Sequence, residues 1–373
     1  MSPRENALSN SSGTGVLFES DADTVDGTLS ADISQLKKVE ERKFKLVWRN
    51  IIVLSLTHVL AVYGVYLFFF HAKWPTRFFT IILYWMAMLA ITAGAHRLWA
   101  HRSYKAKWPL RALFIIFHLT SFQLSCFHWA RDHRVHHKFS DTDADPHNSS
   151  RGFFFSHMGW LLTEKSPLVV AKGKSLDLSD LYADRMLMFE HKHYFKLVPI
   201  FAFVLPAIIP MYMWNESFIN TVCVPVMLRL VVLLNAQSCI NSVAHMFGWR
   251  SYDKNINPTQ NFGLSILCLG EGWHNYHHAF PWDYKAAEWG GSSSNVAAAF
   301  IELCAKMGWA YDLKTVSAEM IEKRVKRTGD GTHAIWGWGD KDLTYAAIGM
   351  FFPKYYLQNV VYVASEKQQT ALY

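Results

Sequence analysis

The chain has 373 residues, of which 51% are apolar and 18% are charged, whereas soluble domains average roughly 25% charged residues. Its formal net charge is +7, but the basic residues form no recognised nucleic-acid-binding motif, which excludes nucleic acid as the expected partner. None of the five cysteines forms a C-x-x-C pair, which argues against a disulfide framework or a zinc–thiolate site. The composition favours a protein that lies in a membrane.

The N-terminal segment differs in composition from the rest of the chain. Residues 1–44 are largely polar and lack the apolar stretch of a signal peptide. We interpret them as a disordered cytosolic tail. A second tail is predicted at residues 346–373, which leaves residues 45–345 as one membrane domain.

Four apolar stretches are long enough to cross a bilayer, which takes about 20 helical residues. They cover about residues 46–70, 78–95, 194–214 and 218–240. Three prolines, Pro199, Pro206 and Pro210, predict kinks in the third stretch. A further apolar run, about residues 110–126, is interpreted as a helix that does not cross, because a crossing would separate histidine motifs that belong together.

Basic residues flank the outer ends of the first two spans, whereas the loop between these spans carries few. The positive-inside rule then places both termini in the cytosol. Residues 96–193 and 241–345 would form one cytosolic cap. The sequence thus predicts an all-α integral membrane protein with four spans beneath a helical cap.

Histidines in the cap recur at regular spacing. His96 and His101 form an H-x-x-x-x-H motif, and the H-x-x-H-H motif occurs twice, at residues 133–137 and 274–278. Two copies of that motif exceed what chance gives in a chain with 18 histidines. His245 is a further candidate.

Residues three and four apart share one face of a helix, so the three histidines of each H-x-x-H-H motif are expected to point at one cavity. His96 and His101 are five apart, roughly 140° around an α-helix, and can converge only from a helix end or a distorted turn. The third and fourth spans return the chain to the same side of the membrane. All these histidines would therefore meet in the cap.

So many imidazoles exceed the needs of one metal ion and suit a pair of ions. Imidazole accepts zinc, copper or iron, and a nitrogen-rich pair with an open position suits oxygen activation by iron. Nearby carboxylates are expected to orient the imidazoles: Asp132, Asp141, Asp145, Glu271 and Asp283. The remaining histidines lack the motif spacing and are interpreted as structural: His58, His71, His118, His128, His147, His157, His191, His193 and His333.

Several stretches resemble the membrane acyl-CoA desaturases, such as the stearoyl-CoA desaturases of animals, and among these the insect branch. The resemblance covers about residues 45–333 and is carried by residues 94–101, 129–137, 143–147, 241–245, 270–278 and 326–331. It implies a di-metal centre of two Fe2+ ions in the predicted cap. The metal ligands would be His96, His101, His133, His136, His137, His245, His274, His277 and His278, with Asn241 acting through a water molecule.

The same resemblance implies the reaction and its partners. The substrate would be a fatty acyl-CoA, molecular oxygen the oxidant, and cytochrome b5 with its reductase the electron source. The location would be the endoplasmic reticulum membrane.

Contacts to the substrate headgroup carry over in part. Asn50, Arg131, Asp132 and Lys165 match positions that touch the acyl-CoA in relatives. Leu124, Glu164 and Ser238 stand where relatives have Asn, Arg and Trp, which leaves the acyl-CoA preference open.

Two other functions compete with desaturation. A related di-iron fatty acid hydroxylase would share the histidine motifs and insert oxygen. A lipid-sensing membrane protein without enzymatic activity would keep the metals for structure alone.

Overall fold

The structure is a computed structural model that describes residue 18 and residues 44–288 and 295–337. The predicted C-terminal tail at 346–373, and the predicted N-terminal tail apart from residues 18 and 44, lie outside the described residues. The described chain is helical, with one two-stranded antiparallel pair that sets Lys105 opposite Tyr311.

The elements in chain order are α1 (Trp48–Phe70), α2 (Trp74–Ala100), β1 (Lys105–Ala106), α3 (Trp108–Leu119), α4 (Cys126–Lys138), α5 (Pro167–Lys174), α6 (Ser179–Ala183), α7 (Arg185–Trp214), α8 (Phe218–Met246), α9 (Phe262–Leu267), α10 (His274–Ala279), α11 (Val296–Lys306), β2 (Ala310–Tyr311) and α12 (Ala318–Thr328). Single turns at Ser149–Arg151, Phe155–Gly159 and Trp160–Leu162 lie between α4 and α5.

Four of these helices, α1, α2, α7 and α8, are long and apolar enough to cross a membrane, as the sequence predicts. The predicted bounds were too short for α2, α7 and α8, which continue past their apolar runs into polar sequence. Backbone hydrogen bonding does not stop where the apolar side chains stop, so each helix carries residues of the cap on its end. Helix α3 has only 12 residues, too few to cross, which confirms the prediction for that run.

Helix α2 changes its winding before it ends. Residues 90–100 form a π-helix, in which hydrogen bonds join residues five apart, as from the His101 N–H to the His96 carbonyl at 3.1 Å. The Tyr104 hydroxyl donates to the carbonyl of Ala93 at 2.7 Å, within the same segment. At Gly94 an added Cβ would approach Phe114 of α3 to 3.0 Å, so a small residue lets the two helices pack closely.

The opposite end of the helical unit is tied together by the buried carboxylate of Glu216, between α7 and α8. It accepts hydrogen bonds from the Lys73 backbone N–H at 2.9 Å, from the Thr76 hydroxyl and from the Asn220 amide at 2.8 Å. Thr76 in turn accepts a bond from the Trp214 indole at 2.8 Å. We call this network the Glu216 end.

Arg229 joins three helices in the interior of the unit. It is 1% exposed, and its guanidinium donates to the carbonyls of Thr120 at 2.6 Å, Pro225 at 2.7 Å and Ala202 at 3.1 Å. The residue four positions on from Ala202 is Pro206, which has no N–H to give this carbonyl an α-helical hydrogen bond. The arginine therefore supplies a donor to a carbonyl that lacks this bond.

Candidate metal centre

The histidine motifs meet where the ends of α2 and α8 approach α4 and α10. Two groups of nitrogen atoms form there, each with its ligand atoms within 4.8 Å of one another. The first group consists of His96, His101, His133, His137 and His277. The second consists of His136, His245, His274 and His278.

In both groups the Nε2 atoms point at one another. The Nε2 of His277 lies 2.9 Å from the Nε2 atoms of both His96 and His137, and those of His101 and His133 are also 2.9 Å apart. In the second group, Nε2 of His274 lies 3.0 Å from that of His245 and 3.1 Å from that of His278.

These separations fit ligands of a common ion. With metal–nitrogen bonds of about 2.1 Å, two ligands at a right angle lie about 3.0 Å apart. Burial, and then the neighbouring imidazole of His278, hold the pKa of His137 well below its ordinary value. The imidazole is thus neutral and offers a lone pair, which is the form that binds a metal.

Three of the five expected carboxylates orient imidazoles. Nδ1 of His96 lies 2.8 Å from Glu271, and Nδ1 of His136 lies 2.9 Å from Asp145. A carboxylate at Nδ1 fixes the proton there and leaves Nε2 free for a metal. Nδ1 of His245 is held in the same way by Asp141 at 3.2 Å.

The other two expected carboxylates serve different partners. Asp132 pairs with Arg131 at 2.9 Å and with Lys165. Asp283 accepts a hydrogen bond from the Tyr276 hydroxyl at 2.8 Å. Sequence proximity to a motif was therefore not sufficient to predict a contact with an imidazole.

Each H-x-x-H-H motif divides its histidines between the two groups, which adjoin each other where the rings of His137 and His278 stack 4.1 Å apart. On α4, His133 and His137 contribute to the first group, whereas His136 contributes to the second. On α10, His274 and His278 are four residues apart and join the second group, whereas His277 joins the first. Residues four apart are about 40° apart around a helix, whereas the residue between them lies on the other flank, so each motif bridges both groups.

The π-helical segment of α2 explains the H-x-x-x-x-H motif. A helix whose hydrogen bonds span five residues returns to the same face after five residues, so both histidines reach the first group. The predicted distortion at the end of the second span is therefore confirmed, and its form is a π-helix.

Two buried arginines that the sequence analysis did not single out brace the site. Arg97 donates to Glu271 at 2.9 Å, and Arg134 donates to the Trp99 carbonyl at 2.7 Å and pairs with Asp180. Burial would raise the pKa of Glu271, but the His96 imidazole and the Arg97 guanidinium hold it below its ordinary value. Each arginine directly follows the first histidine of a motif, which was the available signal.

The residues expected at the substrate headgroup lie outside the two groups. Arg131, Asp132 and Lys165 form one ion-pair cluster, and the Asn50 amide donates to the Leu161 carbonyl at 2.8 Å. Lys165 and Asp145 both line one cleft in the cap.

The remaining candidates have varied surroundings. Glu164 is exposed and lies 3.8 Å from Lys45. Leu124 is 48% exposed, Ser238 is buried, and Asn241 is half-buried at the end of a helical stretch of α8.

Four long apolar helices beneath two converging groups of imidazoles define a membrane protein with a candidate di-metal centre. The family model for fatty acid desaturases matches residues 72–311. The chain belongs to the fatty acid desaturase family.

Named relatives agree with this assignment. The chain is 53% identical over 337 residues to an acyl-CoA Delta-9 desaturase of Acheta domesticus, covering 89% of this chain and 94% of the relative. It is 53% identical over 335 residues to an acyl-CoA Delta12-desaturase of the same organism, with 89% and 94% covered. It is 51% identical over 291 residues to the stearoyl-CoA desaturase of Homo sapiens, with 78% and 80% covered.

Proposed function

We propose that the protein is an acyl-CoA desaturase that introduces a double bond into a fatty acyl chain. The observation that carries the proposal is the convergence of nine buried or half-buried imidazoles into two groups with Nε2 atoms about 3 Å apart. The relatives named above act on acyl-CoA, which supports the substrate class.

The metal ligands in this proposal are the nine histidines of the two groups, with Asn241 acting through water, and the metals are two Fe2+ ions. Bound iron would supply the oxygen-activating chemistry. In balance, two hydrogens leave adjacent methylenes while O2, two electrons and two protons give two waters. Cytochrome b5 and its reductase would deliver the electrons.

The protein's own residues would position the acyl chain and keep the site dry. Arg131, Asp132, Lys165 and Asn50 would hold the headgroup at the cap surface. Asp145 supports this arrangement, because it both lines the cleft that contains Lys165 and bonds the His136 imidazole. A chain anchored at Lys165 would thus start next to the second histidine group.

We further propose the endoplasmic reticulum membrane as the location, with residues 45–345 as the membrane domain and both termini in the cytosol. The ends of α2 and α8 carry histidines of both groups, which supports one cap on one side of the bilayer. The basic residues that flank the first two spans support the cytosol as that side.

Expression in a yeast strain that lacks its own desaturase tests the activity. We expect growth without added unsaturated fatty acid, and new lipids lighter by two hydrogens, whose double bonds are then located by mass spectrometry. Elemental analysis of the purified protein should give about two irons per chain. A product heavier by one oxygen would instead identify a hydroxylase, and an iron-loaded, folded protein without product would favour the lipid sensor.

A further inference from the structure

Two further histidines that belong to neither metal-binding group contact each other in the cap. His128 from α4 and His191 from α7 meet with ring centroids 4.6 Å apart. Both direct Nδ1 at one hydroxyl, the Oγ of Ser125, at 3.0 Å and 2.8 Å. Both rings are half-buried, so their outer edges reach solvent.

The shared hydroxyl determines which nitrogen of each imidazole can carry the proton. Ser125 Oγ already accepts the backbone N–H of His128 at 3.3 Å and has a single proton to donate. Hence one imidazole accepts that proton and keeps its own on Nε2, while the other donates its Nδ1 proton to the oxygen. The pair therefore always offers an outward N–H donor.

Two cationic side chains, Arg131 and Lys165, lie near this pair of histidines. Arg131 lies one helical turn from His128 on the same face of α4. Burial, and then the charges of Arg131 and the nearby Lys165, lower the pKa of His128 to about 4, against an opposing effect of Asp132. Arg131 and Lys165 share the single carboxylate of Asp132, so one positive charge is left over beside the pair, which favours an anion there.

The acidic groups nearby are already engaged. Asp132 is shared by Arg131 and Lys165, and Glu190 of α7 is buried and accepts the Cys126 backbone N–H at 3.2 Å. The exposed Glu164 lies 3.8 Å from Lys45. Lys165 shares Asp132 with Arg131, so a polyanionic headgroup held by Lys165 would lie next to Arg131.

We propose that His128, His191 and Arg131 form a subsite for the phosphate groups of the acyl-CoA headgroup. This inference rests on the proposed function, because the headgroup enters only with an acyl-CoA substrate. The cluster would set headgroup affinity, and the acyl chain and the metal centre would be unaffected.

The test compares a substrate that carries phosphates with one that does not. Equilibrium binding of stearoyl-CoA and stearoyl-pantetheine is measured on the iron-loaded protein and on His128→Gln, His191→Gln and the double variant. A hydrogen bond to a charged group is worth roughly 1.5 kcal/mol, so we expect about a tenfold weaker Kd for stearoyl-CoA in each single variant. The Kd for stearoyl-pantetheine should not change.

The matched control is His193→Gln, on the same helix as His191 but packed against Phe189 at 4.7 Å between ring centroids. It should bind both ligands as the unaltered protein does. Desaturation of stearoyl-CoA by the histidine variants should show a raised KM with kcat unchanged, which a loss of structure would not produce. Ser125→Ala, which leaves both rings in place, should give a smaller loss of the same kind.

Three results would overturn the subsite. The first is that the double variant binds stearoyl-CoA as tightly as the unaltered protein does. The second is an equal loss of affinity for stearoyl-CoA and stearoyl-pantetheine. The third is a loss of affinity seen only in vesicles of anionic lipid, which would assign the cluster to lipid phosphates. Failure of the proposed function appears separately, as absence of unsaturated product from the unaltered protein, and the binding measurement remains decisive in that case.

Discussion

The two ends of the helical unit both bury polar side chains, but they do so in opposite ways. At the Glu216 end, one carboxylate faces hydroxyl, amide and backbone donors, so every contact joins a donor to an acceptor. At the histidine end, ring nitrogens face other ring nitrogens at about 3 Å, and Nε2 of His277 has two such neighbours. The single N–H that an imidazole nitrogen can carry does not satisfy both neighbours, whereas a cation between the nitrogens is bound by all of them.

The difference separates stabilising residues from functional ones without reference to relatives. Buried polar groups that satisfy one another contribute to folding. Buried groups that converge without satisfying one another indicate a ligand, and strain of this kind is tolerated where function requires it. We therefore expect substitutions at the two ends to alter different measurable properties.

The largest effect is expected from removing an imidazole that faces a metal. His137→Ala should abolish measurable desaturation, a loss of at least about a thousandfold, and should lower the iron content below two per chain. The helical circular dichroism should stay unchanged, because the imidazole accepts no structural hydrogen bond. His193→Ala serves as the control, and full activity in His137→Ala would remove this residue from the metal site.

A smaller effect is expected from a carboxylate behind an imidazole. Asp141→Asn should weaken iron binding about 10- to 100-fold, because Nδ1 of His245 loses its charged partner. Asp283→Asn is the matched comparison, since this buried carboxylate contacts Tyr276 and no imidazole. Iron titration should separate the two variants, and equal losses would mean that the carboxylate acts through general destabilisation.

The Glu216 end should respond in stability and leave iron binding intact. Glu216→Ala leaves buried donors of Thr76 and Asn220 without their acceptor, at a cost of roughly 1–3 kcal/mol for each such group. The thermal midpoint in detergent should fall, with iron content unaltered. Loss of iron at an unchanged midpoint would contradict the division between the two ends.

The smallest effect is expected at an exposed ion pair. Lys45→Met removes the partner of Glu164, but both side chains are solvent-exposed and 3.8 Å apart. Exposed pairs of this kind contribute little to stability. The midpoint should therefore match that of the unaltered protein, and a clear decrease would reveal an additional role for Lys45.

Much of the fold and the candidate centre could be predicted from the sequence because both depend on strong patterns. Apolar runs of membrane length predicted the four long helices, and histidine spacing predicted the convergence in the cap. The assignment of individual histidines to the two groups could not be predicted, since it depends on how α4 and α10 are rotated about their axes. Spacing along one helix contains no information on that rotation.

Interactions that cross between distant segments were also outside what the sequence could predict. The sharing of Ser125 by His128 and His191 requires α7 to lie against α4. The bond from Arg229 to the Ala202 carbonyl requires α7 and α8 to pack against each other at these two residues. The sequence of each helix predicts its local structure, but only the packing of two helices shows that their side chains belong to one hydrogen-bond network.

The π-helical segment of α2 makes the number of residues between His96 and His101 a structural requirement. In an ordinary α-helix the same spacing would place the two imidazoles roughly 140° apart, and one of them would leave its group. An ordinary α-helical backbone would therefore remove one imidazole from the site, so the metal centre depends on the π-helix.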